Sequence, residues 1–466
     1  MGASRLRGGD PTVHQYVPNS ARKSEDEMLR AVGARDVDSL FQAVLQKYLF
    51  RGRLKLPPSV SELELKREVG AMLERNRTTD QVLSFLGAGC WQHAVPEVCN
   101  EINSRSEFLT AYTGDVYTDL GRFQALFEFQ SLLGDLVAMD AVTYPSYDWA
   151  TAAGDSMRMA INATGRREVL VPRSASPERV RVMQQYLGPG RMSFFGYDRR
   201  TGQVDLDDLE ERISDKTAAV YIENPAYLGF VETDSYKVGR TAHANGALFV
   251  VGVEPLSLGV LKPPGEYGAD IVCGEGQPLG LKQYFGGALL GFVACRDDER
   301  LLNATGARLI TLTDTIKEGE RGFAFALPER VMFAKREESA TFTGTTAVLW
   351  AITAAVYLSL LGPRGVQELA RTIMERSHYA TKVLGEVPGV ETPALDSPFF
   401  QEFTVNFGNK KVKEVHSALL RSGIQGGKDI TSEFPTLGNS ALYCVTEVHS
   451  KEDIDRLGDE MRRILR

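Results

Sequence analysis

The strongest constraint on the fold is a series of short, predominantly apolar segments in the middle of the chain. They have the length of β-strands, and helix-like segments separate several of them. A strand with one face in water alternates apolar and polar residues, so runs without alternation indicate strands that are covered on both faces. Such strands with helical crossovers are typical of a mainly parallel sheet with right-handed connections. The runs span residues 168–171, 192–195, 218–222 and 248–253.

The rest of the 466-residue chain divides around this predicted sheet. Residues 1–100 are predicted as a helical N-terminal arm or cap, with a helix over 59–76 that begins at a capping box of Ser59 and Glu62. Residues 101–335 form a large α/β domain, and residues 336–466 form a smaller α+β domain. The length suits two or three domains with a large core.

Charge and cysteine content exclude several classes of function. The net charge is −8, with 53 basic and 61 acidic residues, and no long run of one sign favours nucleic acid or an anionic membrane as partner. The five cysteines form no CxxC pair, so we expect neither a disulfide framework nor a metal site. A reducing cytoplasm is the simplest location. We expect the apolar helix over 345–361 to be a core or interface helix, since it is short for a membrane span.

Polar loops follow three of the predicted strands. Open α/β sheets bind ligands beyond the carboxyl ends of their strands, so these loops are where a site is expected. The first loop contains Glu223-Asn224-Pro225, the second Glu254-Pro255, and the third Gly274-Glu275-Gly276-Gln277. Asn-Pro and Glu-Pro are also common turn formers, so each loop alone has a structural explanation. The occurrence of all three in series favours one cleft.

Several motifs along the chain are shared with a known family. They include the segments 56–58, 61–65, 85–89, 104–108, 124–130, 261–270, 274–280 and 437–439. Through them the chain resembles the glycine cleavage system P-protein family, and specifically its alpha-subunit branch, over nearly its whole length. The resemblance implies the α/β fold of fold-type I transferases that depend on pyridoxal 5'-phosphate (PLP). It further implies a mainly parallel large-domain sheet and a smaller C-terminal domain.

The resemblance also implies a division of labour between two chains. In catalytic chains of this fold the Schiff-base lysine stands shortly before a glycine turn, here Gly286-Gly287. Gln277, Pro278 and Leu279 hold the corresponding place, and Lys282 lies four or five residues late, as a solvated or interface lysine. No catalytic residue is therefore expected on this chain. The beta subunit is expected to bind PLP covalently in an α2β2 heterotetramer.

The implied reaction is the decarboxylation of glycine, with transfer of the aminomethyl group to the lipoyl arm of the H-protein. The candidate cleft residues on this chain are His93, Tyr112, Thr113, Asn224 and Gln277. For His93, a hydrogen-bonded interior histidine is the alternative to a group that reaches a partner's site.

Three positions depart from the family pattern. Residues 114–120 are one residue shorter than usual, residues 337–346 lack the usual basic run, and Trp149 replaces a glycine. Either the alpha subunit diverges at these segments without a change of function, or the chain is a subunit of a paralogous PLP-dependent complex that acts on another amino acid or acceptor. A purely structural or regulatory partner is a further alternative.

Overall fold

The structure is a computed structural model that describes residues 21–50, 55–109, 122–286, 289–327, 329, 334, 336 and 346–466. The chain forms two compact units, one that ends at Asn76 and one that runs from Arg77 to Arg466. Tyr112, Thr113, residues 114–120 and residues 337–345 lie outside the described residues.

The first unit contains helices α1 (Arg22–Ala31) and α2 (Glu62–Leu73). The Ser61 hydroxyl accepts from the Glu64 N–H at 3.3 Å, and the Glu64 carboxylate accepts from the Ser61 N–H at 2.8 Å. The predicted capping box of Ser59 and Glu62 is therefore wrong by two residues. Ser59 and Ser61 both stand three residues before a glutamate, and residues 55–61 are not helical, so the later pair forms the cap.

The second unit is built on a seven-stranded sheet in the order β2-β8-β7-β6-β5-β3-β4. Strands β3 to β7 run parallel, whereas β8 runs antiparallel to β7 and to β2. The sheet and its helices comprise β1 (Leu83–Ser84), α3 (Glu97–Ser104), α4 (Ser106–Leu109), α5 (Phe123–Val137), β2 (Ala141–Val142), α6 (Trp149–Thr164), β3 (Glu168–Pro172), α7 (Pro177–Leu187), β4 (Met192–Phe195), α8 (Leu206–Arg212), β5 (Thr217–Glu223), α9 (Ser235–Ala244), β6 (Leu248–Val253), β7 (Ile271–Glu275), β8 (Gly291–Cys295) and α10 (Glu299–Ala304).

Successive residues of the central strands enter two different cores. In β6, Val250 packs in the core that contains residues of α6 and α7. Val251 and Val253 pack in the core that contains residues of α5 and α9. Both faces of the sheet are thus covered, which confirms the prediction from the uninterrupted apolar runs.

The remaining elements form an exposed hairpin and a smaller C-terminal layer. The hairpin pairs β9 with β10, and the C-terminal layer contains the three-stranded antiparallel sheet β11-β14-β13. The short strands β1 and β12 pair in parallel, so the chain just after Arg77 joins this region. The elements are β9 (Leu309–Asp314), β10 (Arg321–Ala326), α11 (Thr346–Gly385), β11 (Glu402–Asn406), α12 (Val412–Arg421), β12 (Ile424–Gln425), β13 (Lys428–Asp429), β14 (Ser440–Cys444) and α13 (Lys451–Leu465).

Helix α11 contains the apolar segment noted in the sequence. It is the one helix among the described residues that is long and apolar enough to cross a membrane, judged by length and composition. Half of its most apolar window is buried inside the protein. Gly362 breaks the helix directly before Pro363, with φ 60° and ψ 179°. Val348, Ala351 and Ile352 pack into the core that contains α5 residues, as expected of a core helix.

Candidate functional site

A narrow cleft with about 20 Å³ of free volume lies at the carboxyl edge of the large sheet and extends to the start of β11. Each of the three strands that end at this edge is followed or terminated by a glutamate: Glu223 ends β5, Glu254 follows β6 and Glu275 ends β7. All three side chains are buried. The aromatic and charged side chains that line the cleft include Trp91, Trp149, Arg179, Tyr227, Glu254 and Glu402.

Trp149 and Arg179 pack together at the carboxyl edge of the large sheet. Trp149 is the first residue of α6, and the Arg179 guanidinium from α7 stacks 3.5 Å from the centre of its ring. Arg179 Nη1 also lies 3.0 Å from Glu223 Oε2. The indole N–H of Trp149 donates to the Tyr221 hydroxyl at 3.2 Å, and that hydroxyl donates to Glu223 Oε1 at 3.2 Å. The four side chains therefore form a closed, buried ring of contacts.

The charges inside this ring are fixed by its geometry. Burial opposes the charge of Arg179, but the Glu223 carboxylate beside it raises the pKa of the guanidinium. Burial, followed by the same carboxylate, raises the pKa of Tyr221 well above its usual value. Arg179 thus remains a cation beside the Glu223 carboxylate, and Tyr221 remains a neutral donor.

Glu275 occupies the N-terminus of α6. Its carboxylate accepts the backbone N–H of Trp149 at 3.1 Å, of Gln277 at 3.0 Å and of Leu290 at 2.9 Å. Burial raises the pKa of Glu275 to about 7 even though these three donors oppose the shift. The Asp148 side chain caps the same helix. A helix start that would otherwise attract an anion is therefore already served by two carboxylates of the chain itself.

Gln277 stands where the resemblance places the lysine of catalytic chains, and it is fully buried. Its carbonyl oxygen accepts from Trp91 N at 3.0 Å. Its Nε2 donates to Trp91 O at 3.0 Å and to Leu281 O at 2.9 Å. The Gln277 amide thus pairs with both the N–H and the C=O of Trp91, as the backbone of a neighbouring strand would. Its role in this chain is structural. Lys282 is exposed in the loop beyond it.

Glu254 takes the position after β6 and caps a short 3-10 turn. Its two carboxylate oxygens accept the N–H of Leu256 at 2.9 Å and of Ser257 at 2.8 Å. Burial raises the pKa of Glu254 to about 7, although His93 and these donors act in the opposite direction. Both oxygens are already engaged by the chain's own backbone.

His93 lies inside the protein, beside the cleft. Its Nδ1 lies 2.9 Å from Glu447 Oε2, and its side chain is 1% exposed. Burial opposes the charge of Glu447, but His93 and the Ala94 N–H, which donates at 2.7 Å, lower the pKa of the carboxyl below its usual value. Within this chain, His93 is a hydrogen-bonded interior histidine.

Asn224 holds its own loop together. Its Oδ1 accepts from Glu232 N at 3.0 Å, and its Nδ2 donates to Ser235 Oγ at 3.0 Å. The neighbouring Pro225 lines the cleft together with Glu254, so two of the predicted loops meet there. Arg179 and Glu402 could not be selected from the sequence, because they reach the cleft from α7 and β11 without a local motif.

The cofactor that the resemblance implies does not fit this cleft. PLP needs a lysine for its aldehyde and free donors for its phosphate. Gln277 stands where the resemblance places that lysine, and its amide is fully hydrogen-bonded. The N–H of Trp149 at the start of α6 is taken by Glu275. The indole of Trp149 and the guanidinium of Arg179 occupy the space at the sheet edge.

Comparison with known proteins gives consistent matches over the whole chain. The sequence model of the family described as glycine cleavage system P-protein matches residues 14–461. A curated protein of Staphylothermus marinus, named probable glycine dehydrogenase (decarboxylating) subunit 1, is 39% identical over 464 residues, which cover 97% of this chain and 98% of the relative. A protein of the same name from Desulfitobacterium hafniense is 37% identical, over 95% of this chain and 98% of the relative.

Solved structures agree with these matches. A crystal structure of glycine decarboxylase (P-protein) of the glycine cleavage system, in inhibitor-bound form, aligns with a TM-score of 0.84 at 34% identity, over 97% of this chain and 100% of that chain. A sphingosine-1-phosphate lyase of Burkholderia pseudomallei aligns with a TM-score of 0.64 at 16% identity, over 89% and 93%, and supports the fold alone. The predicted fold, that of fold-type I PLP-dependent enzymes with a smaller C-terminal domain, is confirmed.

Proposed function

The chain belongs to the glycine cleavage system P-protein family, and on this premise we propose that it is the first, non-catalytic subunit of a two-chain glycine dehydrogenase (decarboxylating). The relatives named subunit 1 match over almost their whole length, so the resemblance extends beyond a shared domain. The observation that carries the proposal is Gln277. Its amide is locked to the Trp91 backbone at the position where a catalytic chain needs its lysine.

The second subunit supplies the cofactor in this proposal. PLP, held there by a lysine, provides the electron sink for the decarboxylation of glycine. The aminomethyl group then passes to the lipoyl arm of the H-protein. The filled cleft supports this division, since Trp149, Arg179 and Glu275 occupy the space and the donors that the cofactor would need here.

This chain's contribution is to complete the assembly. No residue of α2 is buried, and its apolar side chains Leu63, Leu65, Val69 and Met72 are exposed. Phe285, in the loop before β8, is fully exposed as well. Exposed apolar surface of this kind marks protein contacts, and the second subunit in an α2β2 heterotetramer is the occupant that we propose. We place the complex in the cytoplasm.

Co-expression tests this function. The chain should co-purify with the second subunit encoded for the same pathway, and the pair should exchange bicarbonate with the carboxyl group of glycine when H-protein is added. The chain alone should show no exchange. A well-formed complex without activity on glycine, but active on another amino acid, would refute the proposed substrate.

A further inference from the structure

The cleft contains a buried side-chain amide that meets no hydrogen-bond partner in the part of the chain that the structure describes. Gln401, which precedes β11 and lines the cleft, is 3% exposed. Neither its Oε1 nor its Nε2 meets a hydrogen-bond partner among the described residues. Leaving a buried donor and acceptor unsatisfied costs about 1–3 kcal/mol each, so native proteins rarely do so without a bound group.

Two buried carboxyls share the cleft with this amide. Glu402 accepts from Ala88 N at 2.5 Å through Oε1, and Glu254 accepts two N–H groups of its own turn. A carboxylate has about four acceptor positions, so both groups retain acceptor capacity. Arg179, the one basic side chain among the described residues that line the cleft, pairs with Glu223 and also faces Glu402. The donors of the lining that have no partner among the described residues are the Trp91 indole N–H and the Gln401 amide. The two carboxyls and the Gln401 Oε1 lie on the same cleft, which suits a cationic ligand.

The walls between these groups are aromatic. Trp91, Trp149, Tyr227 and Phe400 line the cleft. Aromatic faces attract organic cations, by about 0.5–2 kcal/mol per ring. The free volume between these groups is about 20 Å³, which restricts the bound part of the ligand to one or two non-hydrogen atoms.

We propose that this cleft binds a small primary ammonium compound, whose N–H groups donate to Glu402, Glu254 and the Gln401 Oε1. The Gln401 Nε2 is then available for an acceptor on the same compound. The inference depends on this cleft alone and not on the proposed function. It makes the cleft of the non-catalytic chain a separate ligand site.

Tryptophan fluorescence provides the assay, because two of the three tryptophans of the chain, Trp91 and Trp149, line the cleft. The full chain is titrated with methylammonium chloride, with methanol as a neutral molecule of the same size, and with KCl at equal ionic strength. We expect a saturable change in emission with methylammonium only. An equal saturable change with KCl would overturn the proposal in favour of an inorganic cation site, and no saturable change with methylammonium would overturn it outright.

Two variants and two matched controls locate the binding. Gln401→Leu removes the amide, and Glu402→Gln removes the charge while keeping an acceptor for Ala88. Each should weaken methylammonium binding by about tenfold or more, the loss expected for one charge-assisted hydrogen bond. The same changes at exposed positions, Gln184→Leu and Glu414→Gln, should leave binding unchanged. Thermal melts verify folding, and unchanged affinity in a folded Gln401→Leu variant would by itself refute the site.

The pH dependence gives an independent readout. Burial raises the pKa of Glu254 and of Glu402 to about 7. Glu254 faces His93 and Glu402, and Glu402 faces Arg179 and Glu223. Methylammonium keeps its charge across this range, as a lysine side chain does. Binding should therefore tighten as pH rises from 6 to 8, when the two carboxyls lose their protons. Binding that weakens over this interval would contradict the assignment.

Discussion

Restoring a lysine at position 277 should damage this chain and not revive it. Gln277 is fully buried and makes three hydrogen bonds, two with Trp91 and one with Leu281. A lysine can donate but cannot accept, so in Gln277→Lys the Trp91 N–H loses its partner, at a cost of about 1–3 kcal/mol. Burying an ammonium in place of a neutral amide adds several kcal/mol, since the neighbouring Glu275 carboxyl already accepts three backbone N–H groups. We expect the free energy of unfolding at pH 7 to fall by about 4 kcal/mol or more.

The sign of the pH dependence separates the two costs. Burial lowers the folded-state pKa of a lysine below its unfolded value near 10.4, so the charge penalty is full below the folded pKa and vanishes above the unfolded one. The deficit of Gln277→Lys should therefore shrink as pH rises toward 10. Gln277→Leu loses the same hydrogen bonds without gaining a charge, and its deficit should not change with pH.

Urea unfolding followed by tryptophan emission measures both variants, and absorbance after addition of PLP shows whether a Schiff base forms. We expect no absorption band near 420 nm from Gln277→Lys, because Trp149, Arg179 and Glu275 still fill the cleft. A variant within about 1 kcal/mol of the parent protein, or one that binds PLP covalently, would refute the account of a filled cleft.

Three further outcomes follow from the buried charges. Arg179→Met leaves the buried Glu223 carboxylate without its cation, so the free energy of unfolding measured in urea should fall by about 3–5 kcal/mol. Adding Glu223→Gln should recover part of this loss. Arg300→Met, which removes an ion pair on the surface, should have almost no effect. Burial lowers the pKa of His416 to about 4, so the folded state disfavours its protonated form. The free energy of unfolding should fall by up to about 3 kcal/mol as pH decreases from 6.5 to 4, and this loss should be absent in His416→Leu. The pKa of Glu447 is lowered, so its contribution to the free energy of unfolding is present above the usual pKa of a glutamate and is lost in acid. Glu447→Gln should therefore cost about 1–3 kcal/mol at pH 7 and progressively less below pH 4, as measured by urea unfolding at each pH.

The large sheet could be predicted because its strands carry the signal themselves. The run at 248–253 coincides with β6, a central strand that is covered on both faces. The run at 192–195 coincides with β4, which lies at the edge of the sheet and contains the exposed Ser193. The hairpin of β9 and β10 escaped prediction. Most of its residues are partly or fully exposed, so neither strand shows a long apolar run.

The residues of the candidate site also differ in whether they could be predicted from the sequence. Glu254 and Gln277 could be selected because a loop after a buried strand is a local pattern. Arg179 and Glu402 could not, because their role depends on partners that are distant along the chain. The carboxylate that pairs with Arg179 belongs to Glu223, and the backbone N–H that reaches Glu402 belongs to Ala88. Such pairs exist only after the sheet and the C-terminal layer have come together.

Locating the cofactor within the assembled enzyme tests the central claim most directly. The complex of this chain with its second subunit is reduced with borohydride, which fixes PLP to its lysine, and each chain is then analysed by mass spectrometry. We predict one pyridoxyl group per pair of chains, entirely on the second subunit. A pyridoxyl group on any lysine of this chain, with Lys282 beyond the Gln277 position as the first to inspect, would contradict the account.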